Sequence, residues 1–514
     1  MLESQTFLGE ESGFTSDRVR AEQEYVRAGL IFGINRNVFI MSICAAFNSV
    51  IIGFNIGVFG EIVYILQDDM DLDMYECGIL VGVLNFVAIF GSIIAGYTSD
   101  KFGRLKSFAA ASILFFTGGV ILVFSSGFTG LLVGRTILGL GTGIGFSVDP
   151  MYISEISPKE IRGALVTFSE IAINVGIVTG YFSTWVFSSL DSNISWRLML
   201  MFGVLFPLIM LFLCLFWMEE TPRYLMMQGN HRKAMTVLMK LSVDEKTAVG
   251  VFEDIQKVLQ NESSYEKVSI LDLLLGKNSK TLRNIMLVVV VVGVGQQLSG
   301  IDGVMGFMSF TLEEAGMNKR QDLFAQQFFI GLLKTLVIGI SAKTLDEQVG
   351  RRHLLLISAI GAAMAHLLIA FGSIFAILWL ETLGLYLFAV FFSIGLGPVS
   401  WLLISEILPL RVRSNGVMIG VALNRFAGFL VASTFLGLIR SISVGFTFII
   451  FASICAGYSY FIYKFLPETK GLKLEEVEEV FEDESELKYV ANEVEMPSVD
   501  LASVDESVDE YGSM

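Results

Sequence analysis

The chain has 514 residues, 54% of them hydrophobic and only 17% charged, with 43 Phe, 50 Gly and a formal charge of −16. A soluble domain this apolar cannot cover its surface with polar groups, and runs of about 20 apolar residues, the length that crosses a bilayer, recur throughout. The composition excludes a soluble globular protein and predicts an all-α, polytopic membrane protein. Most of the negative charge lies beyond Pro467, where sixteen acidic residues face three lysines. The remainder is close to neutral, so nothing recommends nucleic acid as a partner. The four cysteines, Cys44, Cys77, Cys214 and Cys455, are scattered and read as small hydrophobes rather than a disulfide framework.

In chain order, residues 1–36 form a polar and charged N-terminal tail, with no cleavable signal peptide expected. Six apolar spans follow within 37–218, near 38–66, 77–98, 107–126, 130–154, 164–188 and 197–218. A polar linker at 219–283 alternates polar and apolar residues at helical spacing and predicts short helices. Six more spans lie within 284–466, near 284–312, 323–343, 354–375, 379–406, 415–438 and 443–466. The tail 467–514 is acidic, poor in aromatics and expected to be mostly disordered, a place for trafficking or regulatory proteins to bind.

Lysine and arginine set the expected orientation. The loops with Lys101, Arg104 and Lys106, with Lys159 and Arg162, with Arg351 and Arg352, and with Arg411 and Arg413 fall on one side, together with both tails and the linker. That side is expected to be cytoplasmic by the positive-inside rule, leaving Asn193-Ile194-Ser195 outside as a weak glycosylation signal.

The two halves repeat each other. Ile153-Ser154-Glu155-Ile156 with Arg162 recurs as Ile404-Ser405-Glu406-Ile407 with Arg413. Asp100 to Arg104 is echoed by Glu347 to Arg351, and Glu220-Thr221-Pro222-Arg223 by Glu468-Thr469-Lys470. All three pairs lie about 250 residues apart, which marks a tandem duplication. The duplicated carboxylates and guanidiniums at helix ends read either as topological anchors or as an inter-helix and inter-bundle network that closes the inner face.

Together with Gly134-Arg135, Gln296-Gln297-Leu298-Ser299-Gly300-Ile301-Asp302, Gly397-Pro398-Val399-Ser400-Trp401 and Pro467-Glu468-Thr469-Lys470-Gly471, these motifs resemble the sugar porters of the major facilitator superfamily. Within them the chain is most similar to plant-type polyol and monosaccharide transporters, through Gly163 to Gly180 with Glu170 and Asn174, Trp196-Arg197, and Asn424-Arg425. The resemblance covers about Asn37 to Phe481. It implies twelve transmembrane helices in two six-helix bundles around a central site that opens alternately to either side, as expected for parallel repeats.

The residues themselves point the same way. Gln296 and Gln297 sit inside an apolar run, where amides need partners; helix packing supplies them, or a polyol does, since each hydroxyl both donates and accepts. The resemblance assigns Gln296, Gln297, Asp302 and Asn424 to the substrate pocket, with Trp401 as an apolar platform. Gly395, Gly397 and Pro398 break helix regularity beside that Trp. Glu170, Lys334 and Arg425 are ionisable groups at depth, each marking a hydrated cavity or a buried ion pair. Glu170–Lys334 reads as a structural pair or, by resemblance, as lining of the central site. Arg135 is grouped with the gating charges. Gly306 and Phe307 stand where hexose carriers often have paired tyrosines.

The first span departs from the proton-coupled pattern. Such porters typically carry Asp in Gly-Tyr-Asp-x-Gly-Val, whereas this chain reads Gly53-Phe54-Asn55-Ile56-Gly57-Val58. Asn does not titrate in the physiological range, so facilitative transport of a monosaccharide or polyol is the leading expectation. Alternatives are a proton symporter that titrates Glu170 or Asp302, and a non-transporting sugar sensor on the same fold. An enzyme is not expected: the three histidines lack ligand spacing, no nucleophile–base pair is visible, and neither cofactor nor metal is implied. The glycines of Gly139–Gly145 follow no strand and read as helix packing rather than a dinucleotide loop. The plasma membrane is the expected location, with a vacuolar or other endomembrane as the alternative.

Overall fold

The computed structural model describes residues 30–31, 34–158, 161–262, 280–347, 350–408 and 412–469. The predicted tails therefore lie almost wholly outside the described residues. A two-residue antiparallel pair, β1 (Leu30–Ile31) and β2 (Ile34–Asn35), leads into the first half. That half consists of α1 (Arg36–Asp69), α2 (Met74–Phe102), α3 (Arg104–Val123), α4 (Phe128–Ile156), α5 (Arg162–Phe187) and α6 (Ser192–Phe216). Short helices α7 (Pro222–Met227), α8 (His231–Leu241) and α9 (Glu245–Glu262) form the linker as expected. They dock beneath the first half: the Tyr152 hydroxyl donates to the Glu219 carbonyl at 2.7 Å, and Asn35 Nδ2 to the Ser242 carbonyl at 2.9 Å.

The second half holds α10 (Lys280–Leu298), α11 (Ile301–Gly306), α12 (Met308–Glu314), α13 (Arg320–Glu347), α14 (Arg351–Ile374), α15 (Leu378–Phe391), α16 (Pro398–Glu406), α17 (Arg413–Ile442) and α18 (Val444–Phe465). Eleven segments among the described residues are long and apolar enough to cross a membrane. The 26-residue α5, packed along α1, is the twelfth.

Two expected spans are interrupted. The run near 284–312 is divided into α10, α11 and α12 by Gly300, at φ 92°, and by a cap at Phe307. L side chains rarely adopt that φ, so glycine is the residue that permits the break. The run near 379–406 passes from α15 through a π turn (Phe392–Leu396) into α16, with the Gly397 amide donating to the Phe392 carbonyl five residues back. Pro398 has no N–H to give the ladder, so the helix restarts there.

Both halves pack alike. In the first, α1 lies on α5, α2 on α4, and α3 on α6; in the second, α10 lies on α17, α13 on α15, and α14 on α18. The halves meet through α2 with α17 and α5 with α13, which are equivalent pairs under the duplication. Small residues allow the closest approaches, as in membrane helix pairs generally. A Cβ on Gly53 of α1 would sit 1.9 Å from the Ile173 carbonyl of α5, and one on Gly176 2.2 Å from the Val50 carbonyl.

At the end remote from the termini the halves are closed on each other. A Cβ on Gly60 would meet the Gly306 carbonyl at 2.8 Å, so α1 and α11 touch backbone to backbone. Tyr64 donates to Glu313 at 2.9 Å, and Trp185 stacks on Phe328 with centroids 5.4 Å apart. Gly60 is the residue that allows the α1–α11 contact, whereas a Cβ on Gly306, where a tyrosine was the point of comparison, would meet only Val81 at 3.5 Å. Phe307 is fully buried and stacks on Phe435 at 5.9 Å, so it belongs to the core.

Gly53→Leu is expected to lower the melting temperature of the detergent-purified protein, since overpacking costs about 1–3 kcal/mol. Gly457→Ala, with open space at its Cβ, is expected to leave it unchanged.

Candidate functional site

Between the two halves the fold gathers a polar network that apolar helices could not tolerate in pieces. Gln296 Nε2 donates to the carbonyls of Leu396 and Gly397 at 3.0 and 3.1 Å, at the end of the π turn. Asn424 Nδ2 donates to Gln296 Oε1 and to the Gly293 carbonyl, each at 2.7 Å. Gln297 Nε2 reaches Asn424 Oδ1 at 3.3 Å, and Arg425 Nε reaches the same oxygen at 3.0 Å.

The network then crosses to the first half. Arg425 Nη1 donates to Asn85 Oδ1 at 3.4 Å, and Asn85 Nδ2 to Asp302 Oδ2 at 2.6 Å. The Arg425 guanidinium lies over Phe146 at 4.8 Å and over Trp401 at 5.6 Å. Glu170, from the first half, interacts electrostatically with Lys334 and Arg425 from the second, as does Asp302. Two carboxyls and two basic groups thus face one another at a depth where an isolated charge is costly.

Every residue expected in the pocket belongs to this cluster or borders it. The sequence reading missed Asn85 and Phe146; an Asn inside the second apolar run was the available signal. Gln297 Oε1 is buried and accepts no hydrogen bond, so one strong acceptor is left unspent. Two surface hollows, of about 660 Å³ beside Trp379 and about 520 Å³ beside Phe124, lie at helix ends away from the network.

Asn55 Nδ2 donates to the Ile51 carbonyl at 2.8 Å, one turn back in α1. Arg135 makes no ion pair among the described residues. Its guanidinium donates to the Leu80, Val81 and Asn55 carbonyls and lies 3.9 Å from the centre of the Phe59 ring. This buried guanidinium, grouped with the gating charges in the sequence, is met here by backbone oxygens rather than by a carboxylate.

At the terminal end the duplicated motifs form duplicated contacts. Arg104 pairs with Glu155 at 2.7 Å and with Asp100 at 3.5 Å, and Arg351 with Glu406 at 3.3 Å. The Glu220 carboxylate accepts the amides of Arg104 and Leu105 at 3.0 and 3.2 Å, and Glu468 that of Arg351 at 2.8 Å. Each caps a helix start whose N–H groups have no intrahelical partner. Burial pushes the Glu220 carboxyl above the ordinary glutamate range, opposed by those amides and by Arg104. These ion pairs join helices within a half. The inter-bundle part of the expected network falls on Arg162, Glu347 and Arg413, whose side chains lie outside those described.

With this geometry in place, comparison with known proteins is decisive. Residues 41–481 match the family described as Sugar (and other) transporter. The chain belongs to that family. The transporter is 36% identical to probable polyol transporter 4 of Arabidopsis thaliana, over 86% of this chain and 85% of that one. It is 34% identical to putative polyol transporter 1 of the same plant, over 91% and 95%. The major myo-inositol transporter IolT of Bacillus subtilis shares 30% identity over 85% and 93%. Among solved structures, the inward-open xylose transporter XylE of E. coli superposes with a TM-score of 0.74 at 25% identity, covering 86% of this chain and 99% of that one. The transporter is therefore a multi-pass carrier of the major facilitator fold and not an enzyme.

A Cβ on Gly428 would lie 2.8 Å from Asp302 Oδ2 and 3.1 Å from Asn85 Nδ2. Gly428→Val is expected to displace that pair and weaken solute binding by roughly tenfold, about 1.4 kcal/mol, in equilibrium binding on folded protein.

Proposed function

We propose that the transporter carries a monosaccharide or polyol by alternating access, and that its two six-helix bundles, 37–218 and 284–466, rock about the network just described. The observation that carries this reading is the composition of that network. Amides and charged groups from both halves converge at depth, and Gln297 Oε1 still has acceptor capacity to spend on a hydroxyl. A polyol offers a donor and an acceptor at every carbon, so it can replace protein–protein hydrogen bonds one for one. Trp401 and Phe146 supply apolar surface for the carbon skeleton. The relatives named for polyols and myo-inositol support that solute class.

The proposed transport is facilitative. Asn55 spends its amide on a backbone carbonyl, and Arg135 has no carboxylate to release. The basic terminal end is assigned to the cytoplasm, both tails included, in the plasma membrane, and the closed far end then faces outward.

The test is uptake into proteoliposomes of labelled myo-inositol, xylitol and xylose, each competed by unlabelled sugars and polyols. At least one is expected to enter and saturate, and Gln297→Leu is expected to weaken its affinity by roughly tenfold, since the oxygen it removes is the one offered to solute. Entry of none would overturn the reading. Under voltage clamp the transported solute is expected to evoke no inward proton current; such a current would overturn facilitative transport in favour of symport, for which Glu170 and Asp302 are the candidate titrating groups.

A further inference from the structure

Glu61 was not singled out by any motif, yet it is the most enclosed carboxyl in the outer gate. It sits on α1, six residues beyond Asn55, with no solvent exposure. Its partners come from the other bundle. The Ser309 hydroxyl of α12 donates to Glu61 Oε2 at 2.6 Å, and Gln327 Nε2 of α13 donates to Ser309 Oγ at 3.1 Å. One carboxyl thereby ties α1 to two helices of the opposite half, immediately beside the Gly60–Gly306 contact.

The hydrogen-bond accounting of this cluster does not close. Glu61 Oε1 and Gln327 Oε1 are both buried and both lack a partner. Two acceptors with no donor between them are a costly arrangement away from water. A single proton on Glu61 resolves both, because the acid O–H donates to the Gln327 carbonyl while Oε2 keeps the Ser309 bond.

On the outer side the cation Arg320, at the start of α13, and Asp68, on α1, act electrostatically on Tyr64. Tyr181 of α5 and Asp302 of α11 flank the inner side, and Tyr64 with Glu313 seals the outer side, with Glu314 at the end of the same helix. Lys334, two turns along α13 from Gln327, is engaged with Glu170 and Asp302. Ser309 and Gln327 are within hydrogen-bonding reach of Glu61, and Tyr181 is coupled to it electrostatically.

We propose that Glu61 is a proton-operated latch of the outer gate. Closure binds one proton on Glu61, shared with Gln327. Opening breaks the O–H···O bond and returns that proton to the outside water, leaving a hydrated carboxylate. Because the carboxyl lies on the outer side of the central network and is sealed when the gate is shut, the proton goes back to the side it came from. It biases the conformational equilibrium by linkage and is not carried across with solute. Lower pH therefore favours the outer-closed state and higher pH the outer-open state. The inference rests on the alternating-access reading above, and its test needs no solute.

The reporter is Trp185, whose stack on Phe328 spans the same interface; the emission difference between the full-length protein and its Trp185→Phe variant isolates it. In detergent, this difference signal is expected to shift red as pH rises. In Glu61→Gln, whose amide reproduces both bonds of the protonated acid, the signal is expected to stay at its low-pH value throughout. Gln327→Met keeps Glu61 but removes the proton's acceptor, so the transition is expected to move down by about one pH unit, roughly tenfold in proton affinity. A flat wild-type profile, a Glu61→Gln profile matching wild type, or an unmoved midpoint in Gln327→Met each overturns the latch. Absence of uptake with an intact pH transition sinks the transport reading alone, and uptake with a flat profile sinks the latch alone.

Discussion

The structure depends on one constraint: in an apolar solvent every polar group at depth must be satisfied by protein, and here neither half can do so alone. Arg425 finds Asn424 in its own half but needs Asn85 from the other, and Asn85 in turn holds Asp302. Glu170 crosses in the opposite direction toward Lys334 and Arg425. The bundles are thus held together by an interface that is polar in its middle and small-residue or aromatic at its far end. Such an interface can exchange partners with a hydroxylated solute without ever exposing a bare charge to hydrocarbon.

Duplication explains why the scaffold around that middle is stiff. Glu220 and Glu468 each cap the helix that follows a basic loop, and Glu155 and Glu406 each bind the arginine at that helix start. These contacts stay inside one half. On the proposed alternating-access reading each bundle moves as a unit, with the change between states concentrated where α1 meets α11 and α12 and where α2 meets α17.

Much of this was legible in the sequence because it follows from local chemistry. Span number followed from apolar run length, and the repeated Glu and Arg motifs marked the duplication, though not the helix caps that Glu220 and Glu468 form. The irregular α15–α16 junction followed from Gly395, Gly397 and Pro398. The break at Gly300 was not read, since a positive φ is invisible until the backbone is seen. Asn85 and Glu61 were missed for a related reason. Each is a single polar residue in an apolar run, and its meaning lies in a partner more than 200 residues away. Arg135 shows the converse. Its place beside Gly134 marked it by resemblance, but only the fold shows that three backbone carbonyls meet its guanidinium.

The central claim is that a solute's hydroxyls take over the hydrogen bonds of the inter-bundle network. It is tested most directly by a cryo-electron microscopy map of the full chain with a transported polyol bound. The account predicts ligand density between the bundles, with a hydroxyl at about 3 Å from Gln297 Oε1 and another near the Asn85–Asp302 pair. Density confined to a surface hollow such as the one beside Trp379, with the network left as described here, would contradict it.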